Sequence, residues 1–217
     1  MKNNFSKYQG LGNDFIIFDA RSNNLDHLFS KNKDNFIEHL CNRNFGIGAD
    51  GIILILESNN KCFVRMKIYN SDGSEPEMCG NGIRCLIAFL NDNNEINELS
   101  EIPIETKAGL ILTSIDGNEN IKVNMGEPIL SPLDIPTKLL MNSLKVPNGV
   151  ITLKDQILNV YAASMGNPHM IVFVNDIEGI PFQEWGSFLE KHNTFPNDTN
   201  VHFVEIIDKS NIKVKVW

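Results

Sequence analysis

The pattern of hydrophobic and polar positions along the chain predicts many short strands and few helices. Runs of aliphatic and β-branched residues, several in strict alternation with polar ones, are typical of strands. Apolar residues at helical spacing predict helices at 33–41, 82–90 and 182–191. The predicted strands are 14–19, 52–56, 63–69, 110–115, 121–125, 170–174 and 201–207.

The predicted helix at 82–90 is unusual because Arg84 is its only charged residue. A helix that is apolar on all sides has no face suited to water, so protein must surround it. A mostly β domain whose strands wrap around this helix satisfies that demand.

The chain also repeats itself weakly, at an offset of about 150 residues. Three blocks recur in the same order. In the first two pairs a polar residue precedes a strand, and in the third pair apolar and polar residues alternate in the same way. We therefore expect two related halves, a first domain at 1–122 and a second at 123–217. The paired blocks are GNDFIIF (12–18) with GNPHMIV (166–172), ADGIIL (49–54) with TNVHFV (199–204), and VRMKIY (64–69) with IKVKVW (212–217).

Composition and charge restrict the partners of this chain. With 217 residues, 42% of them hydrophobic, it can bury a substantial core. A net charge of -8 without any basic run argues against nucleic acid or an anionic membrane surface as the main partner. The amino terminus lacks the apolar core of a signal peptide, and no run approaches the length of a membrane span. We expect a cytoplasmic protein.

Four cysteines are too few and too scattered to form a secreted disulfide framework, so we expect reduced thiols. Cys41 lies in a helical pattern and Cys62 opens an alternating strand, so both are interpreted as small buried hydrophobes. No C-x-x-C motif is present, and the histidines show no ligand spacing. No metal site is expected.

Cys79 is the candidate chemical residue, because it lies where a loop turns into the apolar helix. Unpaired N–H groups and the positive end of the helix dipole favour a thiolate there. The same N–H groups, at Gly80 and Asn81, can hold a substrate carboxylate. Four asparagines at strand edges offer further uncharged donors and acceptors: Asn13, Asn70, Asn167 and Asn200.

Two kinds of chemistry fit a lone reactive cysteine. In a thiol hydrolase, Cys79 attacks a carbonyl and a histidine activates it, and His169 is the candidate base. The repeat suggests instead two similar half-sites that offer thiols to opposite faces of one carbon and so invert a stereocentre. Without a cofactor, such an enzyme must place its bases well and neutralise the substrate carboxylate with N–H groups.

Five motifs closely resemble those of the diaminopimelate epimerase family, and the match runs in order along essentially the whole chain. They are GLGNDF (10–15), YNSDGS (69–74), MCGNGIRC (78–85), NMGEP (124–128) and SMGNPH (164–169). Their combination separates this family from proline racemases and phenazine-biosynthesis isomerases, which share the architecture. The resemblance implies an α+β fold of two pseudo-symmetric α/β domains, each with strands around a central helix.

The resemblance also implies a function and roles for residues. It implies a cofactor-independent isomerase, without pyridoxal phosphate, that interconverts LL- and meso-2,6-diaminopimelate in lysine and peptidoglycan biosynthesis, as a homodimer. Cys79 is similar to one of two acid/base cysteines, and His169 to a supporting histidine nearby. Gly80 and Asn81 correspond to donors to the reacting end of the substrate, and the segment 45–51 to a further site loop. The asparagines corresponding to substrate-binding residues are Asn13, Asn70, Asn167 and Asn200.

The family continues after the strand matching 213–217 with a Glu-Arg pair, a second cysteine and a second central helix, and the 217 residues stop before them. We therefore expect this chain to be inactive or nearly so as an epimerase. We also expect its second domain to be hollow, and so to fold poorly or to expose apolar surface. An alternative is a non-catalytic binding or pairing module whose open apolar face is the interface.

Overall fold

The computed structural model describes residues 4–22, 25, 33–58, 60–96, 101–118 and 120–217. The chain divides into two compact units, Met1–Met125 (unit 1) and Gly126–Trp217 (unit 2). Each unit contains one β-sheet and at least one hydrophobic core of its own. The architecture is mixed α and β with mostly strands, which confirms the predicted fold class.

Unit 1 contains a seven-stranded mixed sheet whose strands follow one another in chain order from edge to edge. The strands are β1 (Ser6–Gly10), β2 (Asn13–Asp19), β3 (Gly51–Leu56), β4 (Val64–Asn70), β5 (Ile102–Thr106), β6 (Gly109–Ile115) and β7 (Ile121–Val123). The pairs β2/β3 and β4/β5 are parallel, and the other neighbours are antiparallel. Between β1 and β2 the chain reverses in two residues, Leu11 (φ 55°) and Gly12 (φ 84°), as in a type I′ turn.

The apolar helix of unit 1 is α2 (Gly80–Asp92), and the sheet curls around it. Strands from both edges of the sheet, β1 and β7, contact the same helix. Most of the helix is buried, including Ile83, Leu86 and Leu90, each at 0% exposure. The prediction of a helix surrounded by protein is therefore confirmed, although the helix begins two residues earlier than expected.

The other face of the unit 1 sheet is covered by α1 (Lys33–Cys41), which connects the parallel strands β2 and β3. Ile37 and Cys41 of α1 are buried with Ile16, Ile52 and Tyr69 in a separate apolar cluster. The helix has the predicted bounds, and the burial of Cys41 is confirmed.

Unit 2 contains a six-stranded sheet in the order β13-β12-β11-β10-β9-β8, in which only β11/β12 is parallel. The strands are β8 (Leu140–Met141), β9 (Pro147–Leu153), β10 (Gln156–Ser164), β11 (Pro168–Phe173), β12 (Asn200–Ile206) and β13 (Ile212–Val216). The helix α3 (Phe182–Glu190) connects β11 to β12, as α1 connects β2 to β3. The two halves thus share a strand–helix–parallel strand–antiparallel strand order.

One face of the unit 2 sheet packs against α3. The ring of Phe203 of β12 contacts the rings of Phe182 and Trp185 of the helix, with centroids 5.7 and 6.3 Å away. The ring of Trp217 lies so close to Gly186 that a β-carbon there would be 2.5 Å from it. This face is therefore covered by the helix that the sequence predicts at 182–191, and the expectation of a hollow domain concerns the opposite face.

The opposite face of the same strands carries exposed apolar side chains. Antiparallel pairing of β12 with β13 places Val204 opposite Val214, and Ile206 opposite Ile212, away from Phe203. The apolar surface expected for this domain is present here. The exposed side chains of β11, β12 and β13 are Phe173, Ile206, Ile212, Val214 and Val216.

Cys62 and the helix lengths bear on two further predictions from the sequence. Cys62 is half-exposed, so its interpretation as a buried hydrophobe is wrong: it precedes β4 instead of lying in the strand. None of the helices in the described parts of the chain is long and apolar enough to cross a membrane.

Candidate active site

Cys79 caps the amino end of α2. Its backbone is extended (φ -141°, ψ 114°), and its Sγ accepts the N–H of Gly82 at 3.4 Å. The carbonyl of Cys79 accepts the N–H of Ile83 at 2.9 Å, which starts the helix. A thiol therefore takes the place that serine, threonine or aspartate usually occupies at a helix start. The side chain is half-buried and remains accessible.

The first two N–H groups of α2, at Gly80 and Asn81, point out of the helix start beside this sulfur. No described residue accepts either of them. Gly82 in the next position is buried, and a β-carbon there would lie 2.9 Å from Ile68 Cδ1, so glycine lets the helix approach β4. The MCGNGIRC motif thus builds a cysteine cap with two free donors, a geometry suited to a carboxylate.

The Asn13 side chain is the second group close to the Cys79 sulfur. Its Oδ1 lies 4.0 Å from Sγ, where it accepts the thiol hydrogen at the long end of the range for sulfur. Its Nδ2 donates to Asp50 Oδ2 at 2.8 Å, and the same oxygen accepts the N–H of Asp14 at 3.0 Å. Asn13 opens β2 and Asp50 directly precedes β3, so parallel pairing of these strands brings them together.

A guanidinium stabilises this pair of acids. Arg43 donates to Asp14 and to Asp50, both at 2.7 Å, and Lys7 lies 3.0 Å from Asp14. The hydrogen bond from Arg43 is the largest cause that holds the pKa of Asp14 well below its usual range, and Lys7 adds to it. Asp14 is therefore ionised throughout the physiological range.

Asn70 lies at the end of β4, next to Asp50 in the fold. Its Nδ2 donates to Ser74 Oγ at 2.9 Å, and its backbone N–H donates to the Ser74 carbonyl. The N–H of Ser71 donates to the carbonyl of Asp50 at 3.1 Å. Unit 1 therefore gathers four of the predicted residues, Cys79, Gly80, Asn81 and Asn13, with Asn70 at the end of the adjoining strand β4.

The two buried cysteines of unit 1, Cys41 and Cys85, are not suited to chemistry. Burial is the largest cause that raises the pKa of the Cys85 thiol to about 11, and the nearby Cys79 adds to it. Burial likewise raises the pKa of Cys41 to about 11. Both remain protonated at neutral pH, which leaves Cys79 as the accessible thiol at the helix start.

In unit 2, His169 is paired with a second histidine. His169 Nδ1 and His202 Nε2 lie 2.8 Å apart, and the two rings meet edge to face. Burial lowers the pKa of both rings, and for His169 the neighbouring His202 adds to the effect. Since this hydrogen bond occupies one ring nitrogen of His169, it gives no support to the interpretation of His169 as the base of a hydrolase.

The remaining predicted asparagines lie near this histidine pair. Asn200 opens β12 beside His169 and donates to the carbonyl of Pro168 at 3.3 Å. Asn167 is exposed in the turn between β10 and β11, where Gly166 has a φ of 114°. Unit 2 therefore brings together Asn167, His169 and Asn200 at one end of β11 and β12.

The structure adds Arg43 and His202 to the predicted residues, and it identifies Asp50 within the segment 45–51. Asp50 and His202 lie at the second and fourth positions of the second repeated block, so the repeat was an available signal for both. Among the described residues, no group of three or more His, Cys, Asp or Glu side chains could hold a metal ion.

Comparison with known proteins decides the family. The profile of the diaminopimelate epimerase family matches residues 5–131 and 161–217. A diaminopimelate epimerase of Prochlorococcus marinus is 46% identical over 213 residues, covering 98% of this chain and 70% of the relative. The chain belongs to the diaminopimelate epimerase family. A relative in Microcystis aeruginosa, also a diaminopimelate epimerase, is 44% identical over 100% of this chain and 76% of its own length.

Membership of this family makes the protein an amino-acid epimerase that acts on a small molecule. Solved structures agree in fold. A hydroxyproline epimerase from Agrobacterium vitis has a TM-score of 0.64 at 14% identity, covering 98% of this chain and 69% of that one. A phenazine biosynthesis protein of the PhzF family from Bacillus anthracis has a TM-score of 0.60 at 18% identity, covering 99% and 70%. At these identities the likeness shows the fold alone.

Proposed function

We propose that this chain binds 2,6-diaminopimelate and supplies Cys79 as one of the two acid/base groups that interconvert its LL and meso forms at the α-carbon. The observation that supports this most is the start of α2. There an accessible thiol caps the helix 3.4 Å from the N–H of Gly82, beside the free N–H groups of Gly80 and Asn81.

The chemistry follows from this arrangement. Removal of an α-proton leaves a carbanion whose charge spreads into the carboxylate, so donors that hold the carboxylate stabilise the transition state. Gly80 and Asn81 supply two such donors from a fixed helix end. The Cys79 sulfur then gives or takes the proton on one face of the α-carbon, without any cofactor.

Inversion needs a second acid/base group on the opposite face. The resemblance gives that role to a second cysteine that follows the strand matching 213–217, and none of the 217 residues is proposed for it. Cys79 is therefore proposed as one member of a two-base pair.

Polar side chains of both units are proposed to bind the substrate. Asn13 and Asn70 in unit 1, and Asn167 and Asn200 in unit 2, offer amide groups at strand ends. His169 is proposed as a supporting residue in the uncharged form that its burial favours. Amides read both the ammonium and the carboxylate groups of an amino acid without adding net charge.

Two wider features are proposed from the family and the composition. The enzyme is a homodimer by resemblance, and it works in the cytoplasm, in keeping with its net charge of -8 and its free cysteines. Light scattering coupled to size exclusion tests the first, and a mass of one chain would contradict it.

Exchange of the α-hydrogen in D₂O tests the role of Cys79. One base is enough to remove the proton and return deuterium, so exchange reports on Cys79 by itself. We expect deuterium at the α-carbon of diaminopimelate, measured by mass spectrometry. We expect Cys79→Ser to slow it by more than about 100-fold, since a hydroxyl is a much weaker acid than a thiol.

The matched control is Cys62→Ser, which changes the half-exposed cysteine outside the site. It should exchange at the rate of the unaltered chain. Exchange that survives in Cys79→Ser, or that is absent from the unaltered chain while diaminopimelate binds, would contradict the proposed role.

A further inference from the structure

The Asp50 carboxylate lies against the Asn13 amide beside the Cys79 sulfur. Its Oδ2 accepts both Asn13 Nδ2 (2.8 Å) and the Asp14 N–H (3.0 Å). An ionised carboxylate only accepts hydrogen bonds, so the amide atom that faces Asp50 must be the nitrogen. The atom left to face Cys79 Sγ is therefore the oxygen, at 4.0 Å.

The carboxylate itself is held from several sides. Arg43 Nη2 donates to Asp50 Oδ1 at 2.7 Å and to Asp14 Oδ1 at 2.7 Å. The N–H of Asp50 donates to Asp14 Oδ1 at 3.1 Å and to the Asp14 carbonyl at 3.0 Å. With its charge balanced and its backbone tied to β2, Asp50 has little freedom to release the amide.

The Cys79 sulfur therefore has two unlike neighbours. On one side the Gly82 N–H donates to it at 3.4 Å. On the other side Asn13 Oδ1 accepts the thiol hydrogen at 4.0 Å. If the Asn13 amide turned over, it would present Nδ2 to the sulfur, which would then lie between two donors.

We propose that Asp50 is a positioning residue that acts through Asn13, fixing the amide so that its oxygen, and not its nitrogen, faces the Cys79 sulfur. This inference rests on the proposed role of Cys79, and it adds which atom of the Asn13 amide the reacting sulfur meets. The ionisable groups that face this cluster are Lys7 of β1, Asp14 of β2, Cys41 of α1, Arg43 of the loop after α1, Asp50 before β3 and Cys85 of α2.

The test is the alkylation of Cys79 by iodoacetamide, followed on the intact chain by peptide mass spectrometry between about pH 6 and pH 10. Thiolates alkylate and thiols do not, so the rate reports the protonation of each cysteine separately. Asp50→Ala frees the Asn13 amide. We expect Cys79 to react about fivefold faster at pH 7, with its pH profile moved to lower pH.

A double-mutant cycle separates positioning from simple loss of a negative charge. If Asp50 acts through Asn13, Asp50→Ala should change the rate by less than about twofold in an Asn13→Ala background. An equal acceleration in both backgrounds would overturn the proposal, because the charge alone would then explain it. No acceleration in the unaltered background would overturn it as well.

Two further variants keep the test independent of folding. Asp50→Asn preserves the shape of the side chain and one acceptor oxygen, which can still accept from Asn13 Nδ2 and the Asp14 N–H, so it should accelerate the alkylation of Cys79 less than Asp50→Ala does. Asp116→Asn removes one carboxylate from the turn between β6 and β7 and should leave the rate unchanged. If the double-mutant cycle shows no coupling between Asp50 and Asn13 while exchange in D₂O still depends on Cys79, only the positioning role of Asp50 is rejected. If the unaltered chain binds diaminopimelate but shows no exchange, the proposed function is rejected.

Discussion

Strands β4 and β13 occupy equivalent places in the two repeated halves, yet their apolar faces have opposite environments. The β4 residues are 1%, 3% and 3% exposed: Val64, Met66 and Ile68. The matching β13 residues are 60%, 45% and 55% exposed: Ile212, Val214 and Val216. The difference lies in α2, which covers β4 in unit 1. Alternation of apolar residues thus predicts a strand face, and the following helix decides whether that face is buried.

The largest expected effect comes from truncating one matched side chain in each half. Met66→Ala removes a buried side chain beneath α2, so it should lower the free energy of unfolding by about 2–4 kcal/mol. Val214→Ala on the exposed face should lower it by less than about 1 kcal/mol. Urea unfolding followed by circular dichroism measures both. Similar losses for the two variants would show that the exposed face is covered in solution.

A smaller effect should appear in unit 2 as a dependence of stability on pH. Burial lowers the folded-state pKa of His169 and His202, so between about pH 6.5 and that lower value the unfolded chain binds more protons. Acid therefore favours unfolding, and stability should fall as the pH drops from about 7 to about 5. Both tryptophans, Trp185 and Trp217, lie in unit 2, so their fluorescence reports its urea midpoint.

The variant His202→Asn should flatten this slope, because it removes one buried ring and frees the other. His192, whose pKa is also lowered by burial, should keep a residual slope. His39→Gln, on the exposed side of α1, is the matched control and should leave the slope unchanged. An unchanged slope in His202→Asn would contradict the described histidine pair.

Much of the fold could be predicted because its signals are local. A single charge in an otherwise apolar helix was enough to predict that α2 is enclosed, and the alternation at 64–69 and 212–217 identified β4 and β13. The hairpin of β9 and β10 was missed. Its turn at Lys154 and Asp155 has a positive φ of 52° at Lys154 but no glycine or asparagine to mark it.

The site residues that are adjacent in the sequence could be predicted from it. Cys79, Gly80 and Asn81 are adjacent, so the helix start could be inferred directly. Asp50 is 37 residues from Asn13 in sequence, and His202 is 33 residues from His169. Strand pairing brings each of these residues to its partner. Their importance follows from register, which no local pattern specifies. That units 1 and 2 act as the two domains of the epimerase stays a prediction.

The central claim, that Cys79 lies where the substrate binds, is tested most directly by alkylating the protein with iodoacetamide in the presence and absence of diaminopimelate. Cys62 serves as an internal control, because it is half-exposed and lies outside the site. We expect saturating diaminopimelate to slow alkylation of Cys79 by at least about fivefold and to leave Cys62 unchanged. Alkylation of Cys79 at the same rate with and without the ligand would contradict the claim.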